Sequence, residues 1–456
     1  MTLPIERPRL AGHVQARFHL TGAQEKVVLH DPRSGLVLEV TPDDWRLLEA
    51  CDGTRDLDAL CLATAKIGRY RGEGAIEQLI GELVEAGVLV DGLPPPPITA
   101  PVTPPETPAD RPLEMAPDYR FSCDGQGSCC RFYGSIPFMP VDALSARLHA
   151  ADRPMPIAPQ NLFLPVSGAH LDPAHPAVVA QVNGRCVFLN ADERCDIHAS
   201  SGAEAKPTVC QTYPAVFVDD GEVVRVSATP ECACIFDSAE SEGGERLLPD
   251  TIRLRGDLHP LIAPGVVPDP VPLTLSRTAP RSALRAWSRT AHDIARAADR
   301  DAAGWALALA EGMTTRGLDE IDVPSLPLDG LRPWIAAFRS RAASVAQTQD
   351  GWRHASDLSR QVARWIADAL DSQDPFTAEP RPREEGFYLA MLMWGHRLST
   401  GGRPLGHSLR DRATRILTAR AMRLVPAPED ISSEHPLALV EAAVRNLSIA
   451  GYANEL

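Results

Sequence analysis

The sequence predicts a multidomain α+β protein: a small N-terminal α+β domain, an irregular cysteine-rich middle and an all-α C-terminal domain. Three observations carry this. Residues 93–114, LPPPPITAPVTPPETPADRPLE, contain nine prolines, a composition that sustains neither a ladder nor a helix and reads as an extended, semi-rigid linker. Eight of the ten cysteines fall between Cys123 and Cys234, a window of 112 residues in a chain of 456. Beyond residue 280 the apolar residues recur at helical spacing in segments separated by Gly and Pro. The expected boundaries are therefore 1–92, the linker 93–114, a cysteine-cluster domain 115–275 and a helical domain 280–456.

In the first domain, KVVLHDPRSGLVLEV alternates apolar residues on both sides of Asp31-Pro32-Arg33-Ser34-Gly35, the pattern of a β-hairpin. Thr41 offers an N-cap and Pro42 suits the first helical position, ahead of the stripe Trp45, Leu47 and Leu48. Asp52-Gly53-Thr54 breaks the chain before a second helix carrying Leu57, Leu60 and Cys61. A third helix shows Ile76, Leu79, Ile80, Leu83 and Val84, stopped by Gly87, and Val88–Val90 close the domain as a short strand. Cys51 and Cys61 sit at core-like positions and read as plain buried thiols.

The middle segment is rich in Pro, Gly and Asp, with a helix expected near 141–150 and strand-like pieces at 178–189 and 222–228. A segment this irregular needs cross-links to hold it. The C-terminal segments RSALRAWSRTAHDIARAA, DAAGWALALAEGM, LRPWIAAFRSRAASVAQ, 356–371, GFYLAMLMWGHRL, LRDRATRILTARAMRL and PLALVEAAVRNLSIAGY read as six or seven helices. No internal repeat is evident.

A formal net charge of −15 argues against nucleic acid as partner, since phosphate binding calls for a basic face. Basic residues are skewed to arginine, 42 of 45, with only Lys26, Lys66 and Lys206. No run approaches eighteen apolar residues, so no membrane partner is expected. The N-terminus lacks the charged start and apolar run that export needs, and the expected location is the cytoplasm. A reducing compartment and a chain long enough to bury large cores both favour metal binding over disulfides.

The cysteines read C-x5-C-C (Cys123, Cys129, Cys130), then Cys186, Cys195 and Cys210, then C-x-C (Cys232, Cys234). All eight are candidate metal ligands. Gly125, Gly127 and Ser128 supply the turn that lets the adjacent Cys129 and Cys130 both ligate. Cys186 and Cys195 flank FLNADER, a turn that would bring their sulfurs together. Structural zinc knuckles favour C-x2-C pairs, and none is present; an all-thiolate set of irregular spacing suits an iron–sulfur cluster at least as well. His198 is a fallback ligand, or a polar neighbour in a turn. Lys206 is a candidate contact for an anionic cofactor, or a solvated loop lysine. Tyr213 is a candidate to pack over a cluster. His396 reads as a core histidine, and Arg415, Arg420 and Arg423 as an anion site or a solvated face.

Two resemblances follow. LLEACDGTRDLDAL with LVEAGVLV, in the order hairpin, three helices, closing strand, resembles the PqqD-like winged-helix peptide-recognition domain. That implies an N-terminal winged-helix-like domain that captures a peptide by adding it as a strand beside the hairpin and a helix, or one used only for docking or dimerisation. FSCDGQGSCCRFY, GRCVFLNADERCDIH and KPTVCQTYP resemble the YkgJ-like (CxxCxxCC) family of zinc- or iron-chelating cysteine-cluster proteins, which includes the flagellin lysine N-methylases. VSATPECAC is similar to the serine-rich stretch before a further cysteine in that branch. The chain departs from the family where Gln126 replaces the second cysteine of C-x2-C-x2-C-C. The resemblance implies a bound metal or cluster and, beyond it, a lysine N-methyltransferase-like enzyme using S-adenosylmethionine on a peptide or protein substrate. The alternative is a non-catalytic iron–sulfur or zinc protein in electron transfer, metal handling or redox sensing. The enzyme reading expects a pocket beside the cluster.

Overall fold

The computed structural model of the chain describes residues 5–12, 14–31, 36–66, 72–92, 107–117, 119–123, 130–131, 136–151, 153–165, 177–240, 243–259, 262, 264–347, 357–400, 403–431, 435–446 and 452. Two units are distinguished: residues 1–103, 133–211 and 349–356 form one, and residues 104–132, 212–348 and 357–456 the other. The cysteine-rich segment contributes to both, so the units cut across the compositional segments. The fold is mixed α+β throughout.

In the first unit the alternating run from Gln15 folds into β2 (Gln15–Thr21) and β3 (Gln24–His30), antiparallel with Phe18 opposite Val27. The expected hairpin is β3 with β4 (Val37–Val40); its turn residues 32–35 lie outside the described residues. Strands β2 and β1 (Pro8–Leu10) add to the expected order. Thr41 caps α1 (Pro42–Ala50), accepting from the Asp44 amide. Helices α2 (Leu57–Lys66) and α3 (Glu73–Glu85) follow, and the positive φ of 72° at Gly87 ends the third helix ahead of β5 (Leu89–Asp91), which pairs with β1. Cys51 is buried, and burial pushes its thiol up to about 12; Cys61 is half-exposed, which corrects the reading of it as a core thiol.

The middle of the chain continues this sheet. Strand β10 (Gln181–Val182) pairs parallel with β2 at His19 and Leu20, and antiparallel with β11 (Arg185–Cys186), giving the order β11-β10-β2-β3-β4. A second sheet joins β7 (Pro137–Phe138), β8 (Phe163–Pro165) and β9 (Ala177–Val179), with α4 (Pro140–Ala151) beside β7. Phe138, Phe163 and Phe188 cluster there, with ring centroids 4.9 to 6.3 Å apart.

In the second unit β6 (Leu113–Met115), β12 (Ala215–Asp219), β13 (Val224–Ala228) and β14 (Gly265–Val266) form a sheet of order β14-β12-β13-β6. The last residues of the proline-rich segment are thus already strand. Phe217, Val224, Val226, Leu248 and Leu258 make its core. Each of the segments expected to supply the six or seven C-terminal helices forms one; four of them, α8 (Arg281–Ala297), α9 (Ala302–Thr315), α12 (Pro382–Trp394) and α13 (Leu405–Met422), dominate the packing. Gly386 lets α12 press against α8: a Cβ there would lie 2.3 Å from the Ala295 carbonyl oxygen. Helix α12 ends at Trp394, not at residue 398, because Gly395 and the left-handed His396 (φ 51°) turn the chain.

Arg415 and Arg420 are buried and Arg423 half-buried, which overturns both the anion-site and the solvated-face readings. Arg415 pairs with Asp411 and with Glu441 on α14 (Pro436–Asn446), each at 2.6 Å, and Arg412 holds Glu441 at 2.6 and 2.7 Å. The Tyr388 hydroxyl donates to the same carboxylate. Arg420 bonds Glu385 at 2.7 and 2.6 Å, and Arg423 pairs with Glu384. A buried carboxylate that loses its cations, or the reverse, is strongly destabilising.

Burial alone would raise the Glu441 pKa, but Arg412, Arg415 and the hydrogen bonds to it bring it from 4.5 down to about 2. A depressed carboxylate contributes its stability in full above 4.5 and loses it as pH falls towards 2. Urea unfolding should therefore show the second unit weakening across that window. Glu441→Gln should lose roughly 3–5 kcal/mol at pH 7 and flatten the acid limb; an unchanged midpoint would contradict the network's role.

Candidate metal centre

The second unit holds the two ends of the cysteine segment. Phe121 exchanges backbone hydrogen bonds with Glu245 at 2.7 and 2.9 Å. Gly244, at φ +104°, permits this approach, since a Cβ there would sit 2.7 Å from the Phe121 carbonyl oxygen. One residue on, the Ser122 amide donates to Ser238 Oγ at 3.0 Å. Ser238 lies on α7 (Cys234–Glu240), and its hydroxyl reaches the carbonyls of Ser122 (3.2 Å) and Cys234 (2.6 Å). Cys123 leaves this clamp exposed, while Cys232 and Cys234 are 5 % and 6 % exposed. Cys130 is half-buried. Cys129 and Gln126 lie outside the described residues.

The first unit holds the other three thiols. Cys186 ends β11, buried, and Cys195 is the residue before α5 (Asp196–Ser201). The expected FLNADER turn forms between them: Asn190 Oδ1 accepts from the amides of Asp192 (3.0 Å) and Arg194 (2.9 Å), and Leu189 bridges Cys195. Asp196 returns its amide to Phe188 O at 2.7 Å, and its carboxylate holds His149 and Arg153 at 3.1 and 2.8 Å. Cys210 is half-buried on the one-turn helix α6 (Thr208–Thr212), its amide bonded to Pro207 O at 2.8 Å. His198 is exposed. Lys206 is half-buried, its carbonyl accepting from the Gln211 side chain at 2.6 Å. Tyr213 is half-buried in the second unit, ahead of a cis bond to Pro214.

No disulfide links any two described cysteines, and among the described residues no three His, Cys, Asp or Glu side chains are grouped to hold a metal. Among the described residues no ligand set is therefore complete. The donor chemistry fits a soft metal or a cluster, because thiolates select zinc, iron and iron–sulfur centres. The second unit also buries two polar groups that the sequence did not single out. Tyr119 is buried, its hydroxyl without a hydrogen-bond partner among the described residues, and burial first, then Cys232 and Cys234, push its pKa up. The alternation Tyr119, Phe121, Cys123 was the available signal. Elsewhere in the unit, Asp220 is fully buried between Arg225 Nε (3.0 Å) and His396 Nε2 (3.4 Å). Burial opposes its charge, but hydrogen bonds from His396, Arg225 and the amides of Val223 and Glu222 hold it below the usual carboxylate range. His396 is thus a core histidine with a carboxylate partner. Two clefts, one lined by Arg339, Ser340 and Asp371 and one by Phe18, Trp45 and Leu164, have no cysteine in their walls.

Asn190→Ala removes the one side-chain acceptor, Oδ1, that takes both amide hydrogen bonds of the turn between Cys186 and Cys195, a loss of about 1.5 kcal/mol. Alkylation of Cys186 in the metal-free protein should then accelerate roughly tenfold through local opening; an unchanged rate would show that the turn does not protect it.

The family model CxxCxxCC, described as a putative zinc- or iron-chelating domain, matches residues 122–233. That span is about a quarter of the chain and contains Cys123 through Cys232, with Cys234 one residue beyond. No curated protein and no solved structure matches the chain. Among the described residues no helix is long and apolar enough to cross a membrane. Residues 122–233 are thus similar to a cysteine-cluster domain described as a putative zinc- or iron-chelating one.

Proposed function

We propose that the chain binds an iron–sulfur cluster and modifies a side chain of a peptide or protein in the manner of the lysine N-methylases, with S-adenosylmethionine as methyl donor. The observation that carries the metal reading is the buried Cys232–Cys234 pair tied through Ser238 to the backbone just before Cys123, inside a segment matched to a chelating family. Cys123, Cys129, Cys130, Cys186, Cys195, Cys210, Cys232 and Cys234 are the pool of ligands, with Lys206 and Tyr213 as contacts to the bound cofactor. The cluster would supply redox or Lewis-acid chemistry and the sulfonium an activated methyl group; the chain's part is to hold both and to orient the substrate. An iron-binding thiolate set is deprotonated, so its ligands release protons on loading.

Substrate capture by the N-terminal, winged-helix-like domain is supported by two features of the first unit. Strand β4 ends the five-stranded sheet, an edge to which an extended peptide can add. A cavity of about 350 Å³ lies against the same sheet and α1, lined by Phe18, Val27, Pro42 and Trp45, with Arg46 and Glu49 among its walls. The second reading is a non-catalytic iron–sulfur or zinc protein in the cytoplasm, serving electron transfer, metal handling or redox sensing.

Anaerobic purification followed by iron, sulfide and zinc analysis tests the first claim. Iron with sulfide and a broad absorbance at about 400 nm is expected; a colourless protein with stoichiometric zinc overturns the cluster. Cys130→Ser or Cys232→Ser should lose metal and unfold more readily, since site formation is worth on the order of 10 kcal/mol. Transfer of labelled methyl groups from S-adenosylmethionine to a lysine-containing protein separates the two readings: transfer supports the enzyme, and none with a loaded cluster leaves the non-catalytic protein.

A further inference from the structure

We infer that the cavity of the first unit binds a free α-amino acid with a bulky apolar side chain, such as leucine. Its walls come from the five-stranded sheet, from α1 and from residues 160–164, so they join the N-terminal part of the chain to the span matched by the chelating family. The strand register separates this cavity from the sheet edge. Phe18 stands opposite Val27, and Val27 opposite Val40 on β4. Strands lie about 4.8 Å apart, so a peptide added to β4 would run roughly 10 Å from Val27 and farther from Phe18. The edge can therefore be filled while the cavity keeps an occupant of its own, and the inference goes beyond the capture reading above.

The chemistry of the walls selects that occupant. Phe18, Val27, Trp45 and Leu164 are buried and make an apolar floor. At about 350 Å³ the cavity stands at the small end of ligand pockets. On α1, Pro42, Trp45, Arg46 and Glu49 recur at i, i+3, i+4 and i+7, which brings a cation and an anion onto the one helix face that lines the cavity. The indole N–H of Trp45 is buried and closes no hydrogen bond. The Glu49 carboxyl feels that indole and Arg46, yet its partial burial outweighs both and raises its pKa. The wall thus holds a donor short of an acceptor and a carboxylate short of a cation. A free amino acid supplies both. Its carboxylate accepts from Arg46 and Trp45 Nε1, and its ammonium donates to Glu49 and to the side-chain oxygens of Gln160 and Asn161. Its side chain covers the apolar floor, an arrangement in which a few polar groups orient a small ligand over an apolar surface.

The test uses the full chain labelled with 5-fluorotryptophan and read by fluorine NMR. Of the seven tryptophan resonances, the one that Trp45→Phe removes should shift as L-leucine is added, with a dissociation constant on the order of 1 mM. The others should hold still. N-Acetyl-leucine lacks the ammonium and leucinamide the carboxylate, and each should bind about tenfold more weakly. Arg46 and Glu49 are exposed, so their replacement spares the fold. Glu49→Gln should weaken L-leucine about tenfold and leave N-acetyl-leucine unchanged. Arg46→Gln should weaken L-leucine likewise and leave leucinamide unchanged. Binding of N-acetyl-leucine or leucinamide as tight as that of L-leucine would assign the cavity to a peptide terminus and overturn the inference. A Trp45 resonance that L-leucine does not move well above that concentration overturns it too. Neither failure touches metal content or methyl transfer, which decide the proposed function separately.

Discussion

The hydrogen bonds between the Ser122 backbone and the Ser238 hydroxyl close the second unit's part of the cysteine segment on itself. They join residues 116 positions apart, a loop whose closure entropy must be met by other contacts. Three contacts meet it: β6 pairs parallel with β13, Phe121 pairs with Glu245, and Phe217, Val224 and Val226 pack with Leu248 and Leu258 into a core. Only because this closure holds does Cys123 emerge beside the helix that Cys234 begins. Bound metal would add a cross-link to the same ends, in keeping with the sparse secondary structure around them.

The helical part of the second unit is held differently. Arg412, Arg415, Arg420 and Arg423 carry their charge inside, each against one or two carboxylates, and Tyr388 and Tyr452 satisfy remaining lone pairs on Glu441 and Asp411. Such pairs add little over apolar packing but penalise every arrangement that separates them. They fix which helix faces which. Gly386 does the complementary work by letting α12 and α8 approach to backbone contact.

Much of the fold was legible where local chemistry decides it. Thr41 and Pro42 started α1, Gly87 stopped α3, and helical periodicity marked every C-terminal helix. What escaped was set by distant partners. Strand β2 needs β10, some 160 residues on, along one edge. Arg415 and Arg420 look like a polar face until Glu441, Glu385 and Asp301 close over them. At the candidate site, cysteine order gave the ligand pool, but spacing could not reveal the clamp between the Ser122 backbone and the Ser238 hydroxyl, whose partners lie 116 positions apart. Nor could it show that Cys186, Cys195 and Cys210 fold with the N-terminal sheet while Cys232 and Cys234 fold with the helices.

The central claim is that thiolates from this segment hold the metal. X-ray absorption at the edge of whichever metal the anaerobically purified full chain contains tests it most directly. A first coordination shell made of sulfur at about 2.3 Å is the result this account predicts. A shell of nitrogen and oxygen at about 2.0–2.1 Å would contradict it.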